Sequence, residues 1–312
     1  MSDPPGKPDM TEPTSPLFTW HQLPPFFQDA DASAIKVRRR YFGQLRLSLI
    51  LLFVAAASGA ASLKFGNTGV DWAGVLAALA FLASLVVRFY IEQQQDENRW
   101  YESRTAAESC KTLAWRYAVC GDPFPESMPT AEARQLYIQR LRELSRNLRI
   151  VDVSSGNDVN EDMERCRAAD KAQRIDTYRI GRLTEQVDWY SKTAALRDRQ
   201  SRTWRAIGLV GELVGVGAGA LKASGVTSID LLGVVSAAVA GITAWLHAKQ
   251  LHTEASSYSL TAREIRHVLS LVDKDMDGEQ WAEFVAGAEE TISKEHTLWS
   301  SGRTGRVPLK DV

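Results

Sequence analysis

Residues 47–63, LSLILLFVAAASGAASL, and residues 72–90, WAGVLAALAFLASLVVRFY, decide the reading of this chain. Each is close to the ~20 residues that cross a bilayer core. Only Arg88 is charged, near the end of the second run, where its long stem can reach the headgroups. The segment between them, KFGNTGVD at 64–71, is too short for anything but a hairpin turn. A second pair follows at 206–221 (AIGLVGELVGVGAGAL) and 229–246 (IDLLGVVSAAVAGITAWL), with its turn at 222–228. The third run is the weakest of the four, being short, glycine-rich and interrupted by Glu212. A buried helical core in a soluble protein is the alternative, but charge-free runs of this length in adjacent pairs argue against it.

The rest of the composition fits. Across 312 residues the formal net charge is -1, which leaves no basic excess for a nucleic-acid partner. A mean hydropathy of -0.22 hides the segregation of charge away from the four runs. Cys110, Cys120 and Cys166 are scattered and odd in number, which suits a reducing compartment rather than a disulfide framework. Residues 1–16 are rich in Pro, Ser, Thr and acid, lack the basic-then-apolar order of a signal peptide, and read as a disordered tail.

Orientation follows from the placement of Lys and Arg. Lys36, Arg38, Arg39, Arg40 and Arg46 lead into the first pair, and Arg197, Arg199, Arg202 and Arg205 into the second. Each turn carries one Lys (Lys64, Lys222). The positive-inside rule then puts both turns outside and both termini in the cytoplasm.

The chain repeats itself. After each pair the helical pattern runs on, over 91–117 and 247–272, without Pro or Gly. SRTAAE at 103–108 parallels SLTARE at 259–264, and DWAGV at 71–75 parallels DLLGV at 230–234. A short amphipathic helix closes each half, with Tyr137, Leu141 and Leu144 on the apolar face of one and Trp281, Phe284, Ala288 and Ile292 on that of the other. Residues 165–205 read as one long helix entering the second pair. The predicted organisation is a tail at 1–16, a two-helix membrane domain at 17–152, a linker at 153–161, a second such domain at 162–300 and a tail at 301–312. The fold class is all-α, two tandem transmembrane hairpins with long cytoplasmic helices before and after each, and duplication accounts for it.

The sequence shows no phosphate-binding loop, no zinc-hydrolase histidine pair and no nucleophile elbow, so no enzyme, cofactor or metal site is expected. DKDMDG at 273–278 opens like a calcium loop, but its twelfth position is Phe284 where a bidentate Glu is needed. Gly211, Gly215 and Gly219 recur every fourth residue, so one face of the third membrane helix admits a neighbouring backbone closely. That neighbour can lie within the chain or in another protomer. Glu212 is costly if it faces lipid; it either pairs at the interface with a residue such as Arg205 or lines a cation-selective water path.

The motif NRWYESRTAAESCK at 98–111, with WRY at 115–117 and DPF at 122–124, resembles the SLATT family, two-transmembrane effector domains associated with SMODS nucleotidyltransferases and SLOG sensors. The stretch 23–40 resembles the entry of one subgroup. YRIGRLTEQVDWY at 178–190 and FVAGAEETISKEHTLW at 284–299 resemble another. Trp100, Arg104, Glu108, Trp115, Arg182, Gln186, Trp189 and Tyr190 carry the resemblance. It implies a pore-forming membrane effector of a bacterial nucleotide-signalled conflict system, multi-pass in the inner membrane and homo-oligomeric, triggered in trans by a nucleotidyltransferase or SLOG-type sensor. A membrane-anchored scaffold is the rival from another class. A small transporter is a third, though no proline-broken membrane helix points to a midplane site.

Overall fold

The computed structural model describes residues 15–61, 70–147, 159–227, 229–272 and 275–304, without the side chains of 147 and 294–304. The expected N-terminal tail, first turn, inter-half linker and C-terminal tail lie mostly outside these residues. So does Asp273, where the calcium-like loop begins.

Every regular element among the described residues is helical. They run α1 (Pro25–Gly59), α2 (Trp72–Gln94), α3 (Asp96–Ala118), α4 (Thr130–Asn147), α5 (Glu161–Ala168), α6 (Lys171–Tyr178), α7 (Glu185–Ala223), α8 (Leu231–Lys249), α9 (Leu251–Ser270) and α10 (Gly278–Thr304). A 3-10 turn, Trp20–Gln22, precedes α1, and a π-helical segment, Arg179–Thr184, joins α6 to α7.

Four helical rods are long and apolar enough to cross a membrane, and at most 17 % of the apolar window of any of them is buried. In α8 none is. Phe81, Phe89, Leu213 and Val216 are each more than 60 % exposed. An uncovered apolar surface of this extent requires lipid or further protein around it.

The repeat is visible in the packing. In the first half the long helix α1 packs on α2 and α3, and in the second α7 packs on α8 and α9. Each membrane helix gives way to its successor at a single left-handed residue, Gln95 or Gln250, both at φ 48°. The uninterrupted helices expected over 91–117 and 247–272 are therefore hinged. A left-handed non-glycine residue costs roughly 1–2 kcal/mol, and an ion pair braces each hinge against that cost. Arg40 Nε of α1 donates to the buried Asp96 carboxylate at 2.6 Å. Arg197 of α7 sits 3.1 Å from Glu254. Both acids occupy the first turn after the hinge, where a helix favours negative charge. The two hinges are one residue out of step with the 103–108 and 259–264 motif match.

The long helix expected over 165–205 is broken as well. Ala169 is extended, and the Asp170 carboxylate caps α6 by accepting from Gln173 N at 2.8 Å. Further on, the backbone loosens into the π segment around Gly181. A Cβ there would lie 2.7 Å from the Phe18 carbonyl oxygen and 3.2 Å from the Trp115 ring, so only glycine lets these elements meet.

Outside the spans the two halves share one core. Trp115 of α3 packs edge-on against Tyr178 of α6, and Tyr178 against Trp281 of α10. Trp281 Nε1 donates to the Val119 carbonyl at 2.7 Å, and Asp122 N donates to the Ala282 carbonyl. The last helix of the second half thus closes over the first.

Candidate functional site

Seven of the eight motif residues converge. Arg104, Glu108, Trp115, Arg182, Gln186, Trp189 and Tyr190 line a cavity of about 270 Å³ in the shared core. α3 supplies the first three. The remaining four come from the π segment and the first turns of α7. Trp100 does not join them. It lies in a separate cluster beside the membrane helices, stacked on Tyr101, with the Arg38 guanidinium 5.1 Å above its ring.

Charged groups in the cavity wall come in pairs. The Glu108 carboxylate stands between Arg104 at 2.9 Å and Lys111 at 2.5 Å, and Asp31 of α1 lies 3.8 Å from Arg104. Behind the wall, Glu289 of α10 is fully buried. It accepts from Arg182 Nε at 2.8 Å, Arg182 Nη2 at 2.6 Å, the Tyr178 hydroxyl at 3.0 Å and the Thr112 hydroxyl at 2.9 Å. Such a fork satisfies a buried carboxylate and fixes the guanidinium plane. Arg182 Nη1 is buried without a hydrogen-bond partner among the described residues.

Sequence reasoning singled out neither Glu289 nor Arg167. The Arg167 guanidinium, 6 % exposed, donates to the carbonyls of Tyr117, Phe124, Pro125 and Met128 and lies over the Tyr117 ring. It thereby ties the loop after α3 to α5. Both fall on the buried face of their helices by spacing, Glu289 four residues after Val285 and Arg167 four after Met163, but as charges they do not read as core. Burial pushes the nearby Cys166 thiol up to about 12 and also raises Cys120.

A second hollow lies between α7 and α8. Gly211, Gly215 and Gly219 all face α8 of the same chain. A Cβ on Gly211 would meet Val239 Cγ2 at 2.8 Å; on Gly215 it would meet Val235 at 3.5 Å, and on Gly219 Leu232 at 3.6 Å. The close approach that the glycine spacing allows is therefore used within the monomer. Glu212 borders this hollow, is exposed, and makes no ion pair among the described residues, with Arg205 or any other cation.

The calcium-like stretch has a helix-start geometry in its described part. Asp277 Oδ1 accepts from Gln280 N at 2.8 Å, and Gln280 Oε1 accepts from Asp277 N at 3.0 Å. This reciprocal pair is a capping box opening α10. Among the described residues no three His, Cys, Asp or Glu side chains come together as a metal site.

Four membrane-length helices, in two repeated units over one helical core, define an all-α protein of two-span membrane domains in tandem. Residues 24–175 match the family model for SMODS and SLOG-associating 2TM effector domain 3, and residues 178–299 the model for domain 1 of the same series. The chain belongs to the SLATT family, with two of its effector domains in one polypeptide. The first match runs past the linker expected at 153–161 and takes in α5 and the first five residues of α6. No curated protein and no solved structure matches the chain.

Proposed function

We propose that this protein is the membrane effector of a bacterial anti-phage or conflict system, opening a pore as a homo-oligomer when a nucleotide signal reports infection. It resides in the inner membrane with both termini and the shared core on the cytoplasmic side, as the basic clusters before each pair favour. Activation comes in trans, from a nucleotidyltransferase or SLOG-type sensor, and the chain itself performs no chemistry.

The observation that carries the pore reading is Glu212, an exposed acid with no ion pair among the described residues, in the apolar stretch 206–221 of α7, whose other exposed residues are all apolar. Facing lipid, such a group costs at least ~2.5 kcal/mol, whereas facing a hydrated lumen it stays solvated. Four helices enclose little beyond their own side chains, so the lumen needs several copies around an axis. In planar bilayers under a salt gradient, Glu212→Gln should reduce cation preference and Glu212→Lys should turn it toward anions. Identical reversal potentials in all three proteins would sink the assignment of Glu212. A scaffold reading draws on the size of the shared core, which could recruit partners from a membrane anchor. An effector depolarises cells on overproduction and a scaffold does not.

A further inference from the structure

The cavity at the foot of α7 combines features that packing alone does not require. Trp20 and Trp189, 49 % and 42 % exposed, line it as large apolar rings left open to solvent, while Trp115 beneath them is 1 % exposed. Its polar wall offers both kinds of hydrogen-bonding group: donors on Arg104, Lys111 and Arg182, acceptors on Glu108 and Glu185. Two N–H donors on one edge of the Arg182 guanidinium, Nε and Nη2, are consumed by Glu289, and Nη1, turned away from that carboxylate, is buried with no acceptor among the described residues. A buried donor without a partner is unfavourable, so the site has an unfilled requirement for an acceptor. Charges of both signs on the wall disfavour a bare anion. They suit a planar ring that carries donors and acceptors on one edge and apolar faces above and below. At about 270 Å³ the space holds one small ligand.

We propose that this cavity is a regulatory site for the heteroaromatic base of a small nucleotide, stacked on the exposed tryptophans with its edge read by Arg182 and the neighbouring carboxylates. The sugar and phosphate leave through the open side. The wall includes Gly181 and Arg182 of the π segment and Gln186, Trp189 and Tyr190 of α7, and α7 continues unbroken to Ala223 through the membrane-length stretch that bears Glu212. A ligand seated there touches the stem of a membrane helix directly. π segments are frequent at functional positions, and this one is stabilised by the Thr184 hydroxyl donating to the Arg179 carbonyl at 2.8 Å. Loss of its extra residue per turn would rotate the whole of α7 by about 100°. The link from binding to opening rests on the pore reading; the binding itself does not.

The full chain in lipid nanodiscs is dialysed to equilibrium against AMP, GMP, CMP and UMP separately, with ribose 5-phosphate as the probe lacking a base. At least one nucleotide should bind with a Kd below about 100 µM, and ribose 5-phosphate should not. Trp189→Ala, at an exposed ring, should weaken that binding about tenfold or more while Trp72→Ala leaves it unchanged. Absence of binding by all four up to about 1 mM would overturn the proposal. So would equal binding of ribose 5-phosphate, or a Kd unaffected by Trp189→Ala. Conductance is recorded on separate samples, so a protein that binds but never conducts refutes the pore reading and leaves the site standing.

Discussion

Replacing Glu289 by glutamine keeps the shape of the side chain and removes its charge. In the native core this carboxylate, wholly buried, accepts four hydrogen bonds, two of them from Arg182, which is itself 2 % exposed. The amide leaves a guanidinium buried without its counter-charge and puts an NH2 group where an acceptor stood. Breaking a buried pair in this way destabilises by about 3–5 kcal/mol. At roughly 2–4 °C per kcal/mol for a domain of this size, the core should melt about 6–20 °C lower. The near-ultraviolet circular dichroism, to which the buried Trp115 and Trp281 contribute, follows that melting. Removing both charges, as Arg182→Met with Glu289→Leu, leaves no orphan charge and should cost less than Glu289→Gln alone. A Glu289→Gln protein that melts with the wild type, or a double variant that loses the sum of the single losses, would refute the reasoning.

Three further outcomes follow from the geometry. Gly211→Ala should weaken the α7–α8 contact by about 1–3 kcal/mol, more than Gly215→Ala, because only the first new methyl meets its neighbour below 3.0 Å; equal thermal stabilities would contradict this. Arg40→Gln removes the cation from the buried Asp96 at the first hinge, so spin labels at Leu82 and Arg99 should report a broader distance distribution, and an unchanged one would mean that the pair does not brace the hinge. Cys166 is buried with its thiol pushed up to about 12, so it should resist maleimide at pH 8 in the native protein and react once unfolded. The folded thiol titrates above its ordinary 9.0, so this contribution to stability is whole below pH 9 and is lost as the pH rises toward 12; native reactivity at pH 8 would show the thiol to be accessible.

The four spans were legible because a run with at most one charge and long enough to cross a bilayer has few other uses. The motif residues were legible as a family pattern, but their convergence was not. Arg104 and Arg182 lie far apart in sequence, and only the shared core that holds α3 and the π segment brings them to one cavity. The hinges escaped notice because they are glutamines. Helix breaks are sought at Pro and Gly, and the compensation here comes from Arg40 and Arg197 on another helix. At Asp170 a signal was present, an acid three residues before Gln173, the same pattern that opens α10 at Asp277 and Gln280. In the first case it lies inside a stretch, 165–205, that reads as one long helix, and in the second inside one that opens like a calcium loop. Glu289 and Arg167 needed tertiary structure, since each stands in the register of an apolar face, where a charge reads as a break in the stripe until its buried partners are known.

The closure of α10 over α3 has a consequence for how the polypeptide is made. The Val119 carbonyl receives its hydrogen bond from Trp281, 162 residues later. At about 5–20 residues per second, a ribosome needs about 8–30 s to synthesise the intervening chain. Throughout that interval the first two spans are already out and available to the bilayer, while the surface of α3 that will hold Trp281 stands open. Integration of the first pair therefore precedes formation of the core, and a nascent chain stalled before α10 exposes its Trp115–Val119 face to chaperones and proteases.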